Sequence, residues 1–138
     1  MLGVFLDVGS VGDDLDWQAL SAAADEWQTH HNTQADEVAP RIARADIVVT
    51  NKVVLDRAMI EGAARLKLIC VAATGVNNVD LDAAAARDIP VINVTGYATP
   101  AVSQHVLAVM LGFATRWADY HRDVMAGAWQ RSEFFCRL

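Results

Sequence analysis

"LKLICVAATGVNNVDLDAAAARD", Leu66 to Asp88, carries the pattern that decides the fold. Its first part, "LKLICVAAT" (66–74), is a mostly apolar run of strand length. Gly75 and the adjacent amides Asn77 and Asn78 then mark a turn. "DLDAAAARD" (80–88) follows as a helix, with acidic residues in its first turn, where the helix dipole favours negative charge. The strand, the short loop and the helix together make one half of a parallel crossover unit. The loop "ATGVNN" admits two readings: a tight connection, or a loop that turns its own N–H groups toward a small anion.

Outward from this segment the same alternation repeats. "LGVFLDV" (2–8) reads as a first strand and "DLDWQALSAAADEW" (14–27) as a helix with Leu15, Ala19, Ala22, Ala23 and Trp27 on its apolar stripe. "QTHHNT" (28–33) reads as a weak edge strand, and "EVAPRIARA" (37–45) as a short helix with Pro40 near its start. "DIVVTN" (46–51) is a β-branched strand, "LDRAMIEGAARL" (55–66) a helix and "PVINVT" (90–95) a fifth strand. The strands are continuously apolar, as expected of strands covered on both faces. The prediction is an α/β fold: a flavodoxin-like, doubly wound five-stranded parallel sheet over residues 1–98, followed by a long C-terminal helix within 99–138. Ligands of such sheets gather beyond the carboxyl ends of the strands.

The helix, in "TPAVSQHVLAVMLGFATRWADYHRDVMAG" (99–127), is expected to run unbroken from near Pro100. Val102, Val106, Val109, Phe113, Trp117, Tyr120 and Val124 form one apolar row, while Leu107, Leu111 and Ala114 form a second. A helix apolar on two sides needs two partners. One small sheet supplies only one, so a homodimer through residues 100–126 is expected.

Composition excludes several classes. The 138 residues carry a formal net charge of −6, and their eleven Lys and Arg are scattered, so nucleic acid is not an expected partner. "VLAVMLGFA" and "LICVAA" are too short to span a bilayer, and "MLGVFLDVGSVGDDLD" has no basic leader. Cys70 and Cys136 fit no CxxC spacing, which points to a reduced, cytoplasmic setting. His30, His31, His105 and His121 have no metal-ligand spacing, so no metal is expected. "GSVGDD" (9–14) is not a phosphate loop, because Asp13 and Asp14 would repel phosphate, and no GxGxxG occurs anywhere. A receiver domain would need an aspartate ending the third strand, where this chain has Thr50, Asn51 and Lys52. Neither Ser10 nor Ser103 has a local base for hydrolase chemistry. Two readings of the third and fourth strand ends remain: a small carboxylate held between Asn51 or Lys52 on one side and the N–H groups of Gly75 and Val76 on the other, or Lys52 as an ordinary solvated loop lysine.

"LKLICVAATGVNNVDLDAAAARDIPVINVTGYATPAVSQHVLAVMLGFATR" (66–116) resembles the D-isomer-specific 2-hydroxyacid dehydrogenases. "TGVNNVD", "IPVINVTGY" and "AVSQHVLAVML" are most similar to the glycerate dehydrogenase, or hydroxypyruvate reductase, branch. "GAWQRSEFFC" (127–136) is similar to the segment that precedes the cofactor domain there. The resemblance implies a substrate domain and its entry helix, ending before a Rossmann domain that binds NAD or NADP. It places the catalytic Arg, Glu and His in that second domain, so no catalytic residue is expected here and no cofactor is expected to bind this chain alone. It implies a small 2-hydroxyacid or 2-ketoacid as substrate, with the loop of Thr74, Gly75 and Val76 at its carboxylate, beside the Asn51 and Lys52 read from the strand ends above, and with Asn77 and Asn78 tolerating unusual backbone angles. By the same resemblance Val102 lies near a nicotinamide. A stand-alone binding module derived from such a domain is the alternative.

Overall fold

The structure is a computed structural model that describes residues 1–12, 16–131 and 133. Asp13 to Leu15, at the expected start of the first helix, lie outside the described residues. So do Ser132 and the end of the 127–136 segment, with Cys136. The chain divides into two compact units, Met1–Thr95 and Gly96–Leu138.

In the first unit five strands form one parallel sheet in the order β2-β1-β3-β4-β5: β1 (Leu2–Phe5), β2 (Glu26–Thr29), β3 (Ile47–Thr50), β4 (Leu68–Val71) and β5 (Val91–Asn93). This is the flavodoxin-like order, so the fold class read from the sequence is the one observed. The connecting helices are α1 (Trp17–Ser21), α2 (Ala35–Ile42), α3 (Arg57–Gly62) and α4 (Leu81–Ala86). Val4, Val48 and Ile69 lie side by side across the central strands and are fully buried with Val38 and Ile42 of α2, Ile60 of α3 and Ala83 and Ala84 of α4. Period-two alternation turns Phe5, Ile47, Val49, Leu68 and Cys70 to the other face, with Leu20, Ala24 and Trp27.

That second face is only partly covered, contrary to the expectation of two closed faces. Ile92 is 56% exposed. A groove of about 380 Å³ runs past Phe5, Trp17, Val49, Cys70 and Ile92. The cause is α1, which spans five residues and not 14–27. Asp16 caps it by accepting from the Gln18 and Ala19 N–H groups, and Trp27 belongs to β2. The Trp27 indole lies against Gly3, where an added Cβ would come within 2.6 Å of the ring, so β1 needs a glycine there. Partial burial pushes the Cys70 thiol pKa up.

Two more expectations are corrected. Pro40 lies inside α2 and not near its start, because a capping box between Gln34 and Glu37 starts the helix earlier. His30 and His31 follow β2; His30 Nε2 is buried without a partner among the described residues, and burial lowers its pKa.

In the second unit the expected single helix is two, α5 (Thr99–Thr115) and α6 (Trp117–Met125). Arg116 between them is left-handed, at φ 54° and ψ 31°, and its guanidinium pairs with Asp119 at 2.9 Å. Gly112 leaves room for the Trp117 indole, which an added Cβ would meet at 3.3 Å. The apolar row read through residue 124 therefore passes from one helix to another at this break. No residue of α5 is buried, and Phe113 is 80% exposed.

Asp46 secures the amino-terminal edge of the sheet. Its carboxylate, 1% exposed, lies 2.9 Å from Arg65 Nη2 and 3.1 Å from Lys67 Nζ, and accepts the Leu2 N–H at 2.8 Å. The Leu2 N–H first, then Lys67 and Arg65, hold its carboxyl well below the usual carboxylate range. A depressed pKa contributes stability above the unfolded value of about 3.9 and loses it as pH falls through the folded value. Asp46→Asn is expected to lower the melting temperature by several degrees at neutral pH. It should also flatten the acid-side loss of stability below about pH 4. Thermal denaturation across that range measures both.

Candidate functional site

Three loops meet at the carboxyl edge of the sheet: the one after β1 (Asp7–Ser10), the one after β3 (Asn51–Val53) and the one after β4 (Thr74–Asn78). Adjacent central strands in parallel register bring them side by side. In open α/β sheets this edge is where ligands collect.

The first two loops are joined by one carboxylate. Asp7 is 4% exposed. Its Oδ1 accepts the Asn51 N–H at 2.9 Å, and its Oδ2 accepts the N–H groups of Lys52 at 2.6 Å and Val53 at 3.2 Å. Buried charge is costly unless it is hydrogen-bonded, and charge-assisted bonds are the stronger kind. The turn after β3 is thus an anion cradle already filled by the protein's own side chain. The Asn51 amide is engaged as well, donating to Ser10 O at 3.1 Å and Ser10 Oγ at 3.0 Å.

The loop after β4 differs. The Asn93 amide donates to Thr74 O at 2.6 Å, the Val94 N–H to Ala73 O and the Val79 N–H to Val76 O. These bonds hold its carbonyls. Among the described residues no acceptor meets the N–H groups of Thr74, Gly75 or Val76, and Thr74 and Gly75 are exposed. Donors fixed in place and left open are what an incoming carboxylate needs. The unusual backbone angles expected of Asn77 and Asn78 are not there: among the described residues the non-glycine residues at positive φ are Asp88 and Arg116. Asn78 instead uses its side chain, donating to Val53 O at 3.1 Å.

Lys52 is exposed and has no ion pair among the described residues. It lines a polar cup of about 470 Å³ with Asp7, Ser10, His31, Asn32 and Thr33. Of the residues read from the sequence, Asn51 is a brace, Lys52 borders the cup, and Thr74, Gly75 and Val76 offer free donors. Val102 lies on α5 in the other unit and is 58% exposed. The described residues contain no cluster suited to a metal ion. Sequence reading missed Asp7 as the link between loops. Its one signal was an acidic residue directly after an apolar strand, a place where aspartate is buried only with partners.

Residues 5–129 match the family described as D-isomer specific 2-hydroxyacid dehydrogenase, catalytic domain. The chain is 34% identical over 125 residues to the hydroxypyruvate reductase of Blautia hydrogenotrophica, covering 89% of this chain and 39% of that protein. It is 33% identical over 129 residues to the glycerate dehydrogenase of Methylorubrum extorquens, covering 88% and 41%. The solved 2-hydroxyacid dehydrogenase of Ketogulonicigenium vulgare shares the fold, with a TM-score of 0.77 at 24% identity over 99% of this chain and 44% of that one. The chain thus spans well under half the length of these relatives.

Proposed function

We propose that this chain, which belongs to the D-isomer-specific 2-hydroxyacid dehydrogenase family, supplies the substrate-carboxylate half of a dehydrogenase site of the glycerate dehydrogenase or hydroxypyruvate reductase kind. Residues 1–98 are its substrate domain, and 99–138 carry the interdomain helices. The observation that carries this reading is the set of open N–H groups at Gly75 and Val76, beside the end of β4. They hold the carboxylate of a small 2-ketoacid or 2-hydroxyacid, with Thr74 at the rim and Lys52 contributing long-range attraction.

The residues present do not make a dinucleotide site. No GxGxxG occurs in the 138 residues, and Val102 alone cannot hold a nicotinamide. When bound, NAD or NADP would supply the hydride chemistry; this chain's part is to bind and orient the carboxylate. The 138 residues by themselves are therefore expected to bind without turnover.

In an NMR titration with hydroxypyruvate, the amides of Gly75 and Val76 are expected to shift, with a dissociation constant of about 1 mM or weaker, since two amide contacts in an open cleft leave half the ligand in water. Silent amides from Thr74 to Asn78 would remove this loop from the site. NADH absorbance with the same ketoacid should show no saturable loss, and clear turnover would disprove the division of labour.

The exposed apolar residues of α5 support a homodimer through residues 100–126. Leu107 and Leu111 are 59% and 63% exposed, and burying each is worth about 1.5–3 kcal/mol. Patches of this kind on soluble proteins are usually covered by a partner. Light scattering at tens of micromolar should give the mass of a dimer, and Leu107→Glu with Leu111→Glu should yield a folded monomer. A wild-type monomer, or a dimer that persists in the folded double variant, rules the interface out.

A further inference from the structure

We infer that Asp7 and Asn78 are positioning residues for the carboxylate loop, acting through the Val53 carbonyl. The inference rests on the carboxylate reading of Gly75 and Val76 and names what holds those donors in place. Neither side chain is needed to touch the ligand.

The connection can be followed atom by atom. Asp7 collects the N–H groups of Asn51, Lys52 and Val53 on one carboxylate and so sets the path of the turn after β3. Within that turn the Val53 carbonyl oxygen accepts from two side chains, Thr50 Oγ1 at 2.9 Å and Asn78 Nδ2 at 3.1 Å. Thr50 is fully buried, so the first donor is immobile. The second belongs to the loop after β4, just beyond the open amides. The Leu55 N–H donates to Asn78 O at 2.8 Å, and the Asp80 N–H to Leu55 O at 2.9 Å, which zips the two loops together along a short parallel bridge between Leu55 and Val79. Asn78 is therefore held through its side chain by the turn that Asp7 organises, at Val53, and through its backbone by Leu55 two residues further on.

The chemistry of Asp7 is specific to a carboxylate. Three N–H groups converge on it, and an asparagine in its place would turn its own N–H₂ toward one of them. A donor facing a donor loosens the turn, moves the Val53 carbonyl and frees the Asn78 amide. Gly75 and Val76 would then have to be ordered by the ligand itself, which weakens binding with no contact to the ligand lost.

The test uses the 138-residue chain, hydroxypyruvate as probe and backbone and side-chain amide NMR. Wild type is titrated beside Asp7→Asn, Asn78→Ala and Ile42→Val, the last a core change on α2 that lowers stability away from the loops. Asp7→Asn and Asn78→Ala are expected to weaken the shift of the Gly75 and Val76 amides by about fivefold or more, the loss of one well-made hydrogen bond. Ile42→Val should titrate as wild type. In Asp7→Asn without ligand, the Asn78 side-chain amide resonances should move, which a general loss of stability would not produce. Unchanged affinity in Asn78→Ala, an unmoved Asn78 amide in a folded Asp7→Asn, or equal weakening in Ile42→Val each overturns the inference. A wild type silent at Gly75 and Val76 overturns the carboxylate reading instead. If Asp7→Asn does not fold, Asn78→Ala decides by itself.

Discussion

A single buried carboxylate with three backbone donors organises the carboxyl edge of this sheet. Asp7 follows β1 by two residues, and its oxygens accept from residues 44 to 46 positions away. A carboxylate this little exposed needs hydrogen-bond donors, and the turn after β3 wraps it to supply them. Once that turn is set, the Val53 carbonyl and the Leu55 backbone define where the loop after β4 can lie. These loops are thus built from the inside outward, with the open donors of Gly75 and Val76 as the last element.

The opposite edge uses the same device for a different end. Asp46 joins the starts of β1 and β4 through Leu2, Arg65 and Lys67, and its partners are long cations with exposed stems. Asp7 has only N–H partners of fixed position, which gives directional control over a loop. Asp46 has mobile partners, which gives attraction without such control. Both aspartates secure the sheet, Asp46 at its amino-terminal edge and Asp7 at its carboxyl edge.

The two faces of the sheet are covered unequally. Three helices close one face, while α1 is too short to close the other, leaving a groove past Phe5, Val49 and Cys70. In the second unit α5 carries apolar residues on all sides with none buried. Both units thus leave apolar residues exposed, Ile92 in the first and Phe113 in the second among them.

Much of the fold was legible in the residues. Runs such as "DIVVT" and "LKLICV" between alanine-rich helical segments dictated a parallel α/β sheet, because apolar periodicity is a local property that adjacent residues carry. The same locality made "ATGVNN" readable as a loop at a strand end, and its resemblance to the dehydrogenases is borne out by the family match. Helix limits were less legible: Asp16 and the pairing of Trp27 with Gly3 cut α1 short, and Arg116 broke the long helix at a point where its apolar spacing continued. What the sequence could not decide was how the loops divide their hydrogen-bonding groups. Asn51 looked as available as Gly75, yet tertiary structure engages the first with Ser10 and Asp7 and leaves the second open. The reason is physical: periodicity states which residues face inward, whereas the partner of a given N–H depends on which distant chain segment the sheet order brings beside it.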